Sequence, residues 1–193
     1  AVLDQVPNTM PVLIKSTILP NEITNICNDY NQHNICYSPE FLRAKSADYD
    51  FENQTFMVLG GSDDENFWQD LFTPALLKCK IYFRCSVVEA SMVKYTINSF
   101  LATKVAFFNR IYDLCEKNGA EYDVVRQILT HDSRIGNSHT LVPGVDGERG
   151  FGGHCFPKDV KSFLNYADNL NTPLDILETA NKYNKTVRKD IDF

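Results

Sequence analysis

The sequence predicts an α/β unit with a mostly parallel sheet, followed by an all-helical unit built on one long helix. Two observations carry this expectation. Up to about Ser86, short β-branched runs alternate with helical patterns, as strands joined by crossover helices do. From Val87, some thirty residues then pass without proline or glycine until Gly119, and apolar residues cover most of the circumference of the helix they form. The division is therefore expected between 1–85 and 86–193.

Taken in order, the opening AVLDQV has the pattern of a helix end, which together with the leading Ala1 suggests a piece of a longer chain. PVLIKSTIL, from Pro11, reads as a strand ended by Pro20, with Asn21 capping a helix through about Tyr30. NICYS before Pro39 and TFMVLGG before Ser62 are the second and third strands. A helix is expected from about Ser62, because Asp63, Asp64 and Glu65 complement its positive end. KIYFRCS is the fourth strand. The long helix spans about 45 Å at about 1.5 Å per residue. Its nearly all-round apolar surface predicts burial by its own domain and by a second subunit. EYDVVRQILT, PKDVKSFLNYADNL and PLDILETANKYNKTVRKD read as three further helices.

Composition narrows the function classes. Of 193 residues, 44% are hydrophobic and 23% charged, and the net charge is −6 without long blocks. That is ordinary globular composition, and it argues against a nucleic-acid surface, which needs a basic stripe. No run approaches the roughly 18 apolar residues of a membrane span, and the start lacks a signal-peptide pattern, so no membrane partner and a cytoplasmic location are expected. Cys27, Cys36, Cys79, Cys85, Cys115 and Cys155 show no zinc-ligand spacing, so no metal site is expected and reduced thiols are the simplest account. The sequons at Asn53 and Asn184 matter only in a secreted chain.

Chemistry concentrates in GERGFGGHCFPKDVKSFL, Gly147 to Leu164. Pro157 suits the first position of a helix, which places Cys155 just before a helix start. Unpaired backbone N–H groups and Lys158 there favour a thiolate. A nucleophile and a small buried residue fit the placement equally well. The neighbouring His154 makes a poor dyad partner, because adjacent side chains in extended chain diverge. On the long helix, Lys94 and Asn98 share a face, and Asn109 returns close to it. Buried polar groups need partners, which an oxygen-rich ligand or the protein itself can supply. Lys15, Ser16 and Thr17 and the segment Ser38 to Leu42 fall at the carboxyl ends of strands, where ligands gather in open α/β sheets. Thr17 there could hold a water on which Glu40 acts as base. Gly60-Gly61 precedes a helix as a phosphate loop would, but the acidic residues after it repel phosphate, and G-x-G-x-x-G occurs nowhere.

KSTILP, YSPEFLR, the Lys94-x-x-x-Asn98 helix, DSRIG and PGVDGERGFGGHCFPKD, in this order, resemble the nucleotide-sugar dehydrogenases, the family of UDP-glucose 6-dehydrogenases and GDP-mannose dehydrogenases. The resemblance runs from about Val12 to Asp159 and is strongest to the UDP-glucose branch. It implies a partial Rossmann-like NAD-binding domain followed by a helical dimerisation domain. It also implies NAD as cofactor, a UDP-sugar as substrate, and a homodimer formed through the long helix. The implied reaction takes a sugar C6 alcohol to a carboxylate in two oxidations through a cysteine thiohemiacetal and thioester.

By resemblance, Cys155 is the nucleophile, Glu40 the acid/base residue, and Thr17 the group that positions water near the nicotinamide. Lys94 and Asn98 stabilise oxyanions, and Asp159 assists proton transfer. Phe41, Leu42, Phe151, Gly152 and Gly153 line the substrate. Arg134 reaches the neighbouring subunit's substrate, and Lys158 has a cofactor-side role. Ala44 stands where the family commonly has a glutamate. The family's NAD fingerprint and second nucleotide domain have no counterpart in these residues, so the chain alone is expected to bind NAD poorly. The rival expectations are a dehydrogenase for another sugar nucleotide such as GDP-mannose, a noncatalytic oligomerisation or binding module derived from the family, and a generic helical domain with Cys155 and Lys94 in its core.

Overall fold

The computed structural model describes residues 2–43, 46–61 and 66–188. The chain forms two compact units, Ala1–Lys94 and Tyr95–Phe193.

The first unit holds a four-stranded sheet: β1 (Val12–Ile14), β2 (Ile35–Tyr37), β3 (Phe56–Gly61) and β4 (Ile81–Cys85), in that spatial order. β1 pairs with β2 and β3 with β4 in parallel, whereas β2 and β3 run antiparallel. The helices are α1 (Pro20–Asp29), α2 (Ala47–Asn53) and α3 (Phe67–Phe72). Strand alternation sends Cys36, Met57 and Leu59 to one face, against Trp68, Leu76 and Phe51. Tyr37 and Val58 go to the other, against Ile23 and Ala90. Both faces are thus covered, as a largely parallel sheet requires.

Three local expectations are corrected. The first strand stops at Ile14 rather than Leu19, because the next backbone groups leave the sheet: Ile18 N–H donates to the Tyr37 hydroxyl at 3.2 Å and Ile18 C=O accepts from Ser91 Oγ at 2.7 Å. Pro20 is itself the first residue of α1, so Leu19, not Asn21, occupies the cap. The opening residues form a single 3-10 turn, Leu3–Gln5. The helix start expected at Ser62 to Glu65 lies outside the described residues; α3 runs from Phe67.

The long helix α4 (Val87–Asn118) begins at a capping box: Ser86 Oγ accepts from Glu89 N–H at 3.2 Å, and Glu89 Oε2 accepts from Ser86 N–H at 2.7 Å. Gly119, at φ +65°, ends it. The helical unit adds α5 (Tyr122–Leu129), α6 (Phe156–Asn169) and α7 (Asp175–Val187). Phe108 and Cys115 of α4 pack with Tyr122 of α5 and Val142, and Tyr95 stacks on Phe163 of α6 with ring centroids 5.3 Å apart. Among the described residues, no helix is long and apolar enough to cross a membrane, and no group of three metal-ligating side chains occurs. No disulfide joins the six cysteines.

Candidate active site

In the first unit, the parallel pairing of β1 and β2 brings their carboxyl ends to one sheet edge, where Ser38 N–H donates to Ile14 C=O at 2.8 Å. Lys15 and Glu40 emerge there, with Lys15 Nζ 3.6 Å from Glu40 Oε1. Burial pulls the Lys15 ammonium below its ordinary pKa, and the Glu40 carboxylate offsets part of that pull. Lys94 is only 6% exposed. It donates to the backbone carbonyl of Glu40 and stands 5.5 Å from the Phe41 ring centroid. The lysine therefore does not extend along the surface into solvent. Phe41 packs on Phe56 at 5.5 Å, Leu42 is half-buried, and the half-buried Thr17 sits in the segment that Tyr37 and Ser91 hold.

In the second unit, Asp159 is wholly buried, and its carboxylate accepts from Asn98 Nδ2 and Lys158 Nζ, each at 2.6 Å. A buried carboxylate between a cation and an amide is satisfied on both oxygens, which is what permits the charge there. Cys155 is exposed and caps α6; Asp159 N–H donates to its carbonyl at 2.9 Å, so the two side chains lie one turn apart on the same helix. Phe156 is the first helical residue, which makes Pro157 the second rather than the first. Ahead of it, Phe151 is buried and its ring meets Phe156 edge-on at 6.5 Å, Gly152 is half-buried and Gly153 exposed.

The expected residues thus gather in two groups: Lys15, Glu40, Phe41 and Lys94 in one unit, and Asn98, Asp159 and Lys158 beside Cys155 in the other. Lys94 and Asn98 are successive turns of one face of α4. Arg134 joins neither group: it is exposed and forks onto Asp132, at 2.6 Å from NH2 to Oδ2. His154 is exposed. Asn109 is satisfied by protein, accepting from Gly150 N–H at 3.1 Å and Arg149 Nε at 3.2 Å and donating to Val105 C=O at 2.9 Å. Ala44 lies outside the described residues.

The sequence reading missed Lys15 as the partner of Glu40. It also missed Asn184 and Arg188, whose side chains engage the glycine loop. The signal for Asn184 was present: a polar residue seven after Leu177 on the buried face of an amphipathic helix. Gly60 is no phosphate cradle. A Cβ there meets Ala90 Cβ at 2.8 Å and Ser86 O at 3.0 Å, so the start of α4 fills the space.

The chain is 34% identical over 180 residues to a UDP-glucose 6-dehydrogenase of Rickettsia typhi, covering 90% of this chain and 40% of the relative. It is 38% identical over 152 residues to one of Bacillus subtilis, covering 78% and 33%. The chain thus spans about two fifths of the length of such relatives. Among solved structures, a UDP-glucose dehydrogenase from Pyrobaculum islandicum superposes with a TM-score of 0.74 at 28% identity, over 91% of this chain and 41% of that one. Residues 88–186 match the model of the UDP-glucose/GDP-mannose dehydrogenase family, central domain, and the chain belongs to that family.

Proposed function

We propose that the intact protein oxidises the C6 alcohol of UDP-glucose to the carboxylate, with Cys155 as covalent nucleophile. The observation that carries this reading is the buried Asp159 carboxylate, held by Asn98 and Lys158 one turn from Cys155, within the residues that match the family's central domain. NAD, when bound, supplies the acceptor for the two hydrides that leave C6.

The chain's own residues account for the remaining steps. Glu40, through a water held by Thr17, takes the alcohol proton. The Cys155 thiolate adds to the aldehyde carbon, forming a C–S bond and an alkoxide. Lys94 and Asn98 donate to that oxygen, a cation and an amide fixed before the charge develops. After the second oxidation the carbon is a thioester. Water activated by Glu40 attacks it, the C–S bond breaks, and carboxylate and thiolate are released. Asp159 keeps Asn98 and Lys158 oriented and relays protons. Phe41, Leu42, Phe151, Gly152 and Gly153 line the sugar nucleotide, and Lys158 serves the cofactor side.

A homodimer completes the reading, with Arg134 reaching the substrate of the neighbouring subunit. Its support is the outer face of α4, where Phe100, Phe107 and Leu114 recur every seventh residue and are 65%, 57% and 57% exposed.

The test is NADH formation by the intact natural protein with UDP-glucose, GDP-mannose and other sugar nucleotides. Two NADH per UDP-glucose consumed supports the proposal. Preference for another sugar nucleotide replaces the substrate, and no NADH with any of them favours a noncatalytic binding module.

A further inference from the structure

The glycine loop that leads to Cys155 is held by side-chain amides from two helices. Asn184 of α7, 1% exposed, makes a reciprocal pair of bonds with one residue: its Oδ1 accepts from Phe151 N–H at 2.7 Å and its Nδ2 donates to Phe151 C=O at 2.8 Å. The amide thus plays the part of a neighbouring strand for a single peptide. Asn109 of α4, also 1% exposed, accepts from the preceding N–H, that of Gly150. Arg188, just past α7, pairs with Asp146 at 2.8 Å and donates to Gly150 C=O at 3.4 Å, so the front of the loop is tied to its middle. The fit is close, most of all at Gly150. A Cβ on Gly150, at φ +73°, lies 2.2 Å from Asn184 Oδ1, and one on Gly152 lies 2.1 Å from the Arg188 guanidinium.

Helix packing needs none of this. Asn184 spends both of its amide bonds on the backbone of 151, Asn109 adds one to the N–H of 150, and an unmade bond at such a buried site is costly. We propose that Asn184, assisted by Asn109, is a positioning residue: an amide clamp that sets the Gly150–Phe151 backbone and thereby the loop that receives the sugar nucleotide. This rests on the functional reading above for the loop's ligand, but the clamp itself is a property of the chain.

The decisive variant is Asn184→Leu in the intact protein, which keeps the side-chain volume and removes both bonds. We expect amide exchange at Phe151 to quicken by at least about tenfold, with the rise confined to the loop. We also expect KM for UDP-glucose to rise about tenfold while kcat stays within about threefold, as when a binding surface is mis-set. Asn184→Ala, which adds a cavity, is the second variant and should show the same split.

Wild-type exchange at Phe151 together with wild-type KM in either folded variant overturns the clamp. Loss of folding in both also overturns it, because the residue is then structural throughout. If the wild-type protein does not turn over UDP-glucose, the functional reading fails while exchange at Phe151 still decides the clamp.

Discussion

Asp159 is the side chain whose surroundings define its task most narrowly. A carboxylate with no exposure, between an amide and an ammonium, is costly to bury and cannot be replaced in kind. Asp159→Asn keeps the shape and removes the charge, leaving Lys158 without its anion. Turnover of the intact protein should fall about a hundredfold or more; activity within about threefold of wild type would remove Asp159 from the proposed chemistry. Cys155 is the exposed thiol of the six, whereas Cys36, Cys79 and Cys115 are buried and burial pushes the Cys27 and Cys85 thiols above their ordinary pKa. Iodoacetamide should alkylate Cys155 before any of the others, and equal rates would count against an activated nucleophile. These residues were legible because motif order singled them out. The partners of Lys15 and Asn184 were not, since they lie 25 and 33 positions away and only folding brings them together.

Helices and strands were legible where the pattern was long. The ends of α4 follow from Ser86, Glu89 and Gly119, all visible in the sequence. By contrast, α2 was unforeseen, because ADYDFEN is acidic and short. A local, exposed ion pair accompanies it: Arg43 donates from its backbone and its guanidinium to Asp50, with Nε at 2.9 Å from Oδ2. The antiparallel step between β2 and β3 was equally hidden, since strand direction follows from chain path and not from composition.

Two predictions belong to the helices. If the outer face of α4 seats a second copy, Phe100→Asp with Phe107→Asp should convert a dimer to a monomer in sedimentation. An unchanged sedimentation coefficient, or a wild-type monomer, would refute that assembly. Between α4, the loop and α7, burial pushes the Asp113 carboxyl up, but hydrogen bonds from Tyr183 and Arg149 outweigh it and leave its pKa below the ordinary value. Such a group stabilises the fold above its unfolded pKa, and that contribution is lost as pH falls through the lower folded value. The melting temperature should therefore drop below about pH 4, and Asp113→Asn should flatten part of the drop.

For the molecule as a whole, the architecture of a partly parallel sheet followed by helices was readable from alternation and then its cessation. The family was readable from five motifs in order, none of which identifies it alone. What a sequence does not carry is which groups meet, because that depends on register and on side chains from elements far apart in the chain. The proposed reaction makes one testable event its centre, a thioester at Cys155. Incubating the intact protein with UDP-glucose and NAD, quenching in acid within the first turnover and weighing the peptide that contains Cys155 reads that event. The expected result is a hydroxylamine-labile adduct of the uronyl nucleotide on Cys155, absent without NAD. An unmodified peptide, together with undiminished turnover in a Cys155→Ser variant, would contradict covalent catalysis at this residue.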